Sequence, residues 1–112
     1  MAFDFPGAHL RPLLFVYTLY GADVCYDPAK NEWNIAERGL SFERAVEFDF
    51  DTALFVEDTR KDYGEVRWQA LDLLDARLHM LVFAETGNGI RVINFRKANK
   101  REMRRYEQAT RS

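Results

Sequence analysis

Three closely spaced, largely apolar segments, in which polar side chains alternate over part of the length, constrain the fold of this 112-residue chain more than any other feature. They read VRWQALDL, RLHMLVFAE and IRVINFR, and a shorter strand-like segment, TALFVED, precedes them. Alternation with a period of two is typical of β-strands, and the links TRKDYGE and TGNG have turn composition. Consecutive strands joined by short turns pair antiparallel. The sequence therefore predicts a four-stranded antiparallel meander.

Two helices are predicted before the meander. In YDPAKNEWNIAERG, Asp27 can cap a helix that has Pro28 at its first position, and Gly39 can end it in the left-handed conformation. These signals predict a helix over residues 28–38. A serine that follows can cap a second helix, predicted over residues 42–49.

A basic helix is predicted after the meander, from about residue 98. Asn99 and Glu102 have the spacing of a capping box, which marks the helix start. The expected class is α+β, with all the helices packed on one side of the sheet and the other sheet face open.

Periodicity also predicts the environment of single side chains. Trp33 falls on the apolar face of the first helix and is expected in the core, and Val46 is expected to face inward from the second helix. Cys25 is interpreted as a small buried residue, and as the single cysteine it fits a reducing, cytoplasmic location. His79 alternates with apolar neighbours, so a half-buried histidine is favoured over a general base.

The N-terminal residues 1–22 differ in pattern from the rest and are interpreted as an extension, either flexible or forming an added edge strand, with residues 23–112 as the main domain. The alternative is that LLFVYTLY fills the core. The apolar run PLLFVYTLYG is too short to cross a bilayer, so no membrane association is expected.

The charge is concentrated at one end of the chain. Residues 91–112 hold eight basic and two acidic side chains, a net charge of +6, whereas the other ninety residues carry −8. Such a basic end can bind a polyanion or an acidic partner. The basic side chains interpreted as an RNA-binding set are Arg38, Arg91, Lys100, Arg101, Arg104 and Arg105.

Two arginines of the predicted strands can contact a phosphate. Arg67 and Arg96 are expected to project from the open sheet face, and the planar guanidinium matches a phosphate, with Lys97 beside them. The many acidic residues lack histidine or cysteine companions at metal-ligand spacing, so no metal or other cofactor is predicted.

The combination of YDPAKNEWNIAERGLSFERA, VED, GEVR and GIRVINFRKANKREMRRYE resembles the BrnT family of bacterial type II toxins. The resemblance covers about residues 24–108. It implies a RelE-like fold and a metal-independent ribonuclease that suppresses translation. It also implies a cognate antitoxin, BrnA, whose DNA-binding module takes the complex to operator DNA.

The resemblance places four residues as catalytic candidates: Arg67, Arg96, Lys97 and Tyr106. The family usually has Lys-His-Gly where this chain has Glu-Arg-Gly, so Arg38 stands at a histidine position. That departure keeps a second hypothesis open, a non-catalytic partner that acts as corepressor in a DNA-binding toxin-antitoxin complex.

Overall fold

The computed structural model describes residues 23–111, and in this range a five-stranded sheet has helices against both faces. The strand order across the sheet is β1-β5-β4-β3-β2. The elements in chain order are β1 (Asp23–Tyr26), α1 (Pro28–Arg38), a 3₁₀ helix (Phe42–Glu47), β2 (Leu54–Glu57), β3 (Trp68–Leu74), β4 (Arg77–Glu85), β5 (Gly89–Lys97) and α2 (Lys100–Thr110). The predictions about residues 1–22 lie outside the described residues.

The antiparallel meander is confirmed. Strands β2, β3, β4 and β5 are sequential neighbours, and each pair is antiparallel. The link between β3 and β4 is a two-residue turn in which Asp75 and Ala76 have φ of 53° and 61°. Positive φ at both central residues is the geometry that matches the twist of a β-hairpin.

The sheet has a fifth strand beyond the four predicted, because β1 pairs parallel with β5. This pairing begins where Asp23 lies opposite Gly89. A Cβ atom on Gly89 would overlap the backbone of Asp23, so glycine permits this close approach. The segment from α1 to β4 forms the long connection that parallel neighbours need.

The first predicted helix is confirmed, with its bounds. The Asp27 carboxylate accepts a hydrogen bond from the backbone N–H of Ala29 at 2.9 Å, and Gly39 ends the helix at a φ of 66°. The second helix is a shorter 3₁₀ helix, Phe42–Glu47, rather than a helix over residues 42–49. The capping box of α2 is present, with Asn99 and Glu102 each bonding the backbone of the other.

The prediction that all helices lie on one side of the sheet is wrong, and neither sheet face is open throughout. Two apolar clusters occupy opposite faces, because alternate residues of each strand belong to different clusters. The larger cluster includes Phe42 and Ala45 of the 3₁₀ helix. The smaller cluster packs Met103 and Tyr106 of α2 against Leu71 and other strand residues.

Three single-residue predictions are also wrong. Trp33 is 55% exposed and Val46 is 62% exposed, and Cys25 is exposed as well. Trp33 faces outward because its neighbour Asn34, 1% exposed, is held inward by hydrogen bonds to the backbone oxygens of Leu40 and of Phe95 in β5. Cys25 alternates with Val24 and Tyr26, whose side chains pack on the larger cluster, so it points away from that cluster.

No helix within residues 23–111 has the length and apolar character that crossing a membrane requires.

Candidate functional site

A cleft of about 790 Å³ opens where the end of α1 meets the ends of β4 and β5. Its walls come from α1, the 3₁₀ helix, the β3–β4 turn and the two strands. The lining residues are Glu37, Arg38, Gly39, Leu40, Arg44, Leu74, Asp75, Arg77, His79, Arg96 and Lys97. We call this the His79 cleft. Its charged residues are predominantly cationic, so it favours an anionic ligand.

The imidazole of His79 is held by a backbone contact. Its Nδ1 lies 2.7 Å from the carbonyl oxygen of Arg77, a distance at which Nδ1 carries the proton and donates it. The ring packs edge-on against Phe95, with centroids 5.9 Å apart. Burial lowers the pKa of His79, and the positive charges of Arg77 and Lys97 lower it further. At neutral pH the ring is therefore uncharged.

The cations of the His79 cleft fall into two groups. The guanidinium of Arg44 pairs with Glu47 and Asp75, each at 2.8 Å. In contrast, Arg77 and Lys97 have no carboxylate partner among residues 23–111, and Arg77 makes one long hydrogen bond, 3.5 Å, to a backbone oxygen. These two side chains therefore retain charge that an anion in the cleft can neutralise.

Arg38 is held by amides at the rim of the cleft. Its guanidinium donates to the Oδ1 atoms of Asn34, at 2.9 Å, and Asn94, at 2.7 Å. It also lies 5.0 Å from the ring centre of Trp33. Arg38 therefore ties the end of α1 to β5.

A second cationic group lies on the opposite sheet face. Glu65 accepts hydrogen bonds from Arg67, at 3.0 Å, and from Arg91. The guanidinium of Arg67 stacks over Tyr63, 4.1 Å from its ring centre. The bond from Arg91, reinforced by Arg67, holds the pKa of Glu65 below its ordinary value. We call these four residues the Glu65 cluster.

Arg96 lines the end of the His79 cleft, although its side chain projects from the sheet face of the Glu65 cluster, where α2 binds it. Its guanidinium makes two parallel hydrogen bonds to the Glu102 carboxylate, at 2.8 and 2.9 Å. Burial raises the pKa of Glu102, but Arg96, the backbone N–H of Asn99 and the charge of Arg105 together bring it below the ordinary value. This pair therefore fastens α2 to β5.

The four predicted catalytic residues occupy three places. Lys97 and Arg96 line the His79 cleft. Arg67 belongs to the Glu65 cluster, so Arg67 and Arg96 share a sheet face but are bound to different carboxylates. The hydroxyl of Tyr106 donates to Asp72 at 3.2 Å, and burial followed by the Asp72 charge raises its pKa. Tyr106 is therefore a protonated donor to Asp72.

The predicted RNA-binding residues are likewise distributed. Lys100, Arg101 and Arg104 are basic side chains of α2 and form no ion pair within residues 23–111. Arg105 is half-buried and lies 3.4 Å from the Gln69 side-chain oxygen.

Sequence reasoning missed the group formed by Arg77, His79 and Lys97. The signal that could have found it is the strand register, because His79 and Lys97 are direct partners on β4 and β5 and Arg77 precedes His79 by two residues. All three therefore share one face of the sheet.

The model of one protein family, described as the ribonuclease toxin BrnT of type II toxin-antitoxin systems, matches residues 26–102. The chain belongs to this family. The match runs from the end of β1 into α2, so it contains the whole meander, the His79 cleft and the Glu65 cluster. No curated protein sequence and no solved structure matches the chain.

Proposed function

We propose that this BrnT-family chain is a metal-independent endoribonuclease that inhibits translation in the cytoplasm. The observation that carries the proposal is the His79 cleft, into which cations project from α1, the 3₁₀ helix, β4 and β5. An RNA phosphate is the anion that a ribonuclease toxin must hold. Cations in place before the reaction stabilise the charge that develops on phosphorus.

The proposed chemistry needs no metal. The 2′-hydroxyl of RNA is itself the nucleophile, so the protein supplies orientation, proton transfer and charge stabilisation. Within residues 23–111, no three His, Cys, Asp or Glu side chains are grouped so as to hold a metal ion. Arg96 and Lys97 are assigned to the reacting phosphate, and Arg67, on the opposite sheet face, to a more distant phosphate of the same RNA strand. Tyr106 is a positioning residue that holds Asp72, the cross-strand neighbour of His79.

The basic face of α2 is the proposed contact for the rest of the RNA and for the antitoxin. Lys100, Arg101 and Arg104 lie on this face, with Arg105 at its border and Arg38 and Arg91 elsewhere as further RNA contacts. An acidic surface on a BrnA-like antitoxin would neutralise the same charges and so block RNA. Operator DNA is bound through the antitoxin in this scheme.

The proposal predicts that the purified chain, freed of any antitoxin, cleaves RNA at an unchanged rate when excess EDTA is added. Expression of the chain alone should arrest growth, and coexpression with its antitoxin should restore it. The measurement is RNA integrity on denaturing gels, with and without chelator. A cleavage rate that falls in EDTA and recovers on adding a divalent ion would contradict the metal-independent mechanism.

One observation favours the corepressor as a second candidate. The Arg38 guanidinium is engaged by two asparagine side chains, which is a structural arrangement rather than a free catalytic group. A chain that neither cleaves RNA nor arrests growth, yet tightens operator binding by its antitoxin, would establish that function.

The basic face of α2 gives a further prediction, on binding. Replacing Lys100, Arg101, Arg104 and Arg105 together with glutamine should weaken binding of uncleaved RNA analogues by more than tenfold at low salt. Each neutralised phosphate releases counterions, so the slope of log Kd against log salt should also fall, by roughly 0.7 for every phosphate of a single strand that the variant no longer neutralises. Titrations at several salt concentrations measure both effects, with Lys30→Gln on α1 as the exposed control. Salt-independent binding by the parent would contradict the electrostatic role.

A further inference from the structure

We propose that His79 is the general base of the reaction and that Arg77 and Lys97 hold the scissile phosphate beside it. This inference rests on the proposed ribonuclease function and names a proton acceptor for it. The alternation of β4 alone indicated only a half-buried histidine at this position. The hydrogen bonds, burial and charges of the His79 cleft support the further role.

The first support is that the His79 tautomer is fixed. Nδ1 donates its proton to the Arg77 carbonyl oxygen, so Nε2 on the other side of the ring keeps its lone pair. His79 is 5% exposed, yet it lines the cleft, and within the described part of the chain nothing hydrogen-bonds to Nε2. A buried acceptor needs a donor, which is water in the free cleft and can be a ligand when one binds. A hydroxyl of RNA is such a donor.

The second support is the charge around the ring. Lys97 lies directly opposite on β5, and Arg77 lies two residues before on β4, both lacking a carboxylate partner among residues 23–111. Their positive charges favour the neutral form of the His79 ring. The same two charges can stabilise the negative charge that develops on a phosphorane.

Among the remaining charged groups around His79, Asp72 and Asp75 are held by other partners. On β3, its cross-strand neighbour Asp72 accepts hydrogen bonds from Thr52 and Tyr106. In the β3–β4 turn, Asp75 is paired with Arg44 of the 3₁₀ helix. From α1, Glu37 and Arg38 line the cleft wall. Burial and the charges of Arg77 and Lys97 lower the pKa of His79 and outweigh the hydrogen bond to the Arg77 carbonyl and the charge of Asp75, which raise it.

The proposed step balances without a further reactant. His79 Nε2 takes the proton of the 2′-hydroxyl, and the 2′-oxygen forms a bond to phosphorus while the bond from phosphorus to the 5′-oxygen breaks. The leaving 5′-oxygen takes a proton from water, and the imidazolium returns its proton to the hydroxide so formed. The products are a 2′,3′-cyclic phosphate end and a 5′-hydroxyl end.

The test replaces His79 with asparagine, whose side-chain amide can keep a donor to the Arg77 carbonyl but offers no base. The cleavage rate of His79→Asn should fall by about a hundredfold or more, the usual contribution of general-base catalysis. Binding of an RNA analogue with 2′-deoxy substitution should stay within about threefold of the parent, and the thermal midpoint should stay close to it. The Lys30→Gln control should match the parent in all three measurements.

Two further readouts separate a base from a packing residue. The parent rate should drop at acid pH with an apparent pKa below the ordinary histidine range, and this limb should disappear in His79→Asn. In His79→Gly, added imidazole should restore part of the cleavage rate. The pH profile of the parent needs no variant, so it tests the proposal even if substitutions at His79 unfold the chain.

A parent rate that shows no acid limb, or a folded His79→Asn variant that cleaves within about threefold of the parent, would overturn the assignment of His79. In either case a cleaving parent leaves the proposed function standing. A parent that cleaves no RNA refutes the proposed function itself, and with it this inference.

Discussion

Replacing Arg96 with alanine should lower the RNA cleavage rate by about a hundredfold or more, because it removes a fixed positive charge next to the cleft. RNA binding should change much less than the rate, since charge stabilisation acts mainly in the transition state. Arg67→Ala should reduce cleavage as well, because a more distant phosphate of the RNA strand is then held less well. Single-turnover cleavage assays and binding titrations on the same variants measure the two effects separately.

Arg96 needs its own control because it also fastens α2. Arg96→Ala leaves the buried Glu102 carboxylate without its partner and should cost about 2–3 kcal/mol of stability. The double variant Arg96→Ala with Glu102→Gln removes that unpaired charge, so it should regain most of the stability but none of the cleavage. Recovery of cleavage together with stability would show that Arg96 is structural only.

Replacing Asn34 with alanine should lower the free energy of unfolding by about 2–4 kcal/mol. The Asn34 amide donates to two backbone oxygens, those of Leu40 and Phe95, each at 2.9 Å, and it is 1% exposed. Its removal leaves two buried carbonyl groups unsatisfied, and each costs about 1–3 kcal/mol. Urea unfolding of Asn34→Ala beside Lys30→Gln measures the effect.

Lys30→Gln lies on the exposed side of the same helix, so it should stay within about 0.5 kcal/mol of the parent. An Asn34→Ala variant as stable as this control would mean that water replaces the amide at both oxygens. In that case α1 would not depend on Asn34 for its position against β5.

The meander and the helix caps were predictable because they depend on local signals. Alternation along a strand depends only on residues that are close in sequence, and so does the capping-box spacing of Asn99 and Glu102. The position of α2 was not predictable in this way. Strands β3 and β4 are buried on both faces, so neither strand has a polar face. Without a polar face, the sequence does not indicate which side of the sheet α2 covers.

The candidate site was predictable in part. Arg96 and Lys97 were found as cations at the end of a strand, and the structure places both at the cleft. The role of Asn34 was hidden because its partners, Leu40 and Phe95, are backbone oxygens that any residue would provide. His79 was interpreted as a half-buried histidine because alternation indicates burial. Alternation cannot show that Nδ1 is hydrogen-bonded while Nε2 is not.

The parallel pairing of β1 with β5 affects when the His79 cleft can form during synthesis. The hairpins of the meander join neighbours in sequence and can form early, whereas β1 waits for a strand that is translated after all the others. Arg96 and Lys97, which line the cleft, also belong to β5. The Asn34 side chain, which fixes α1, donates its hydrogen bond to the backbone oxygen of Phe95 in β5. A partly translated chain on the ribosome therefore lacks a complete cleft. Under the proposed function, cleavage at this cleft would begin only after β5 has been made and has paired with β1.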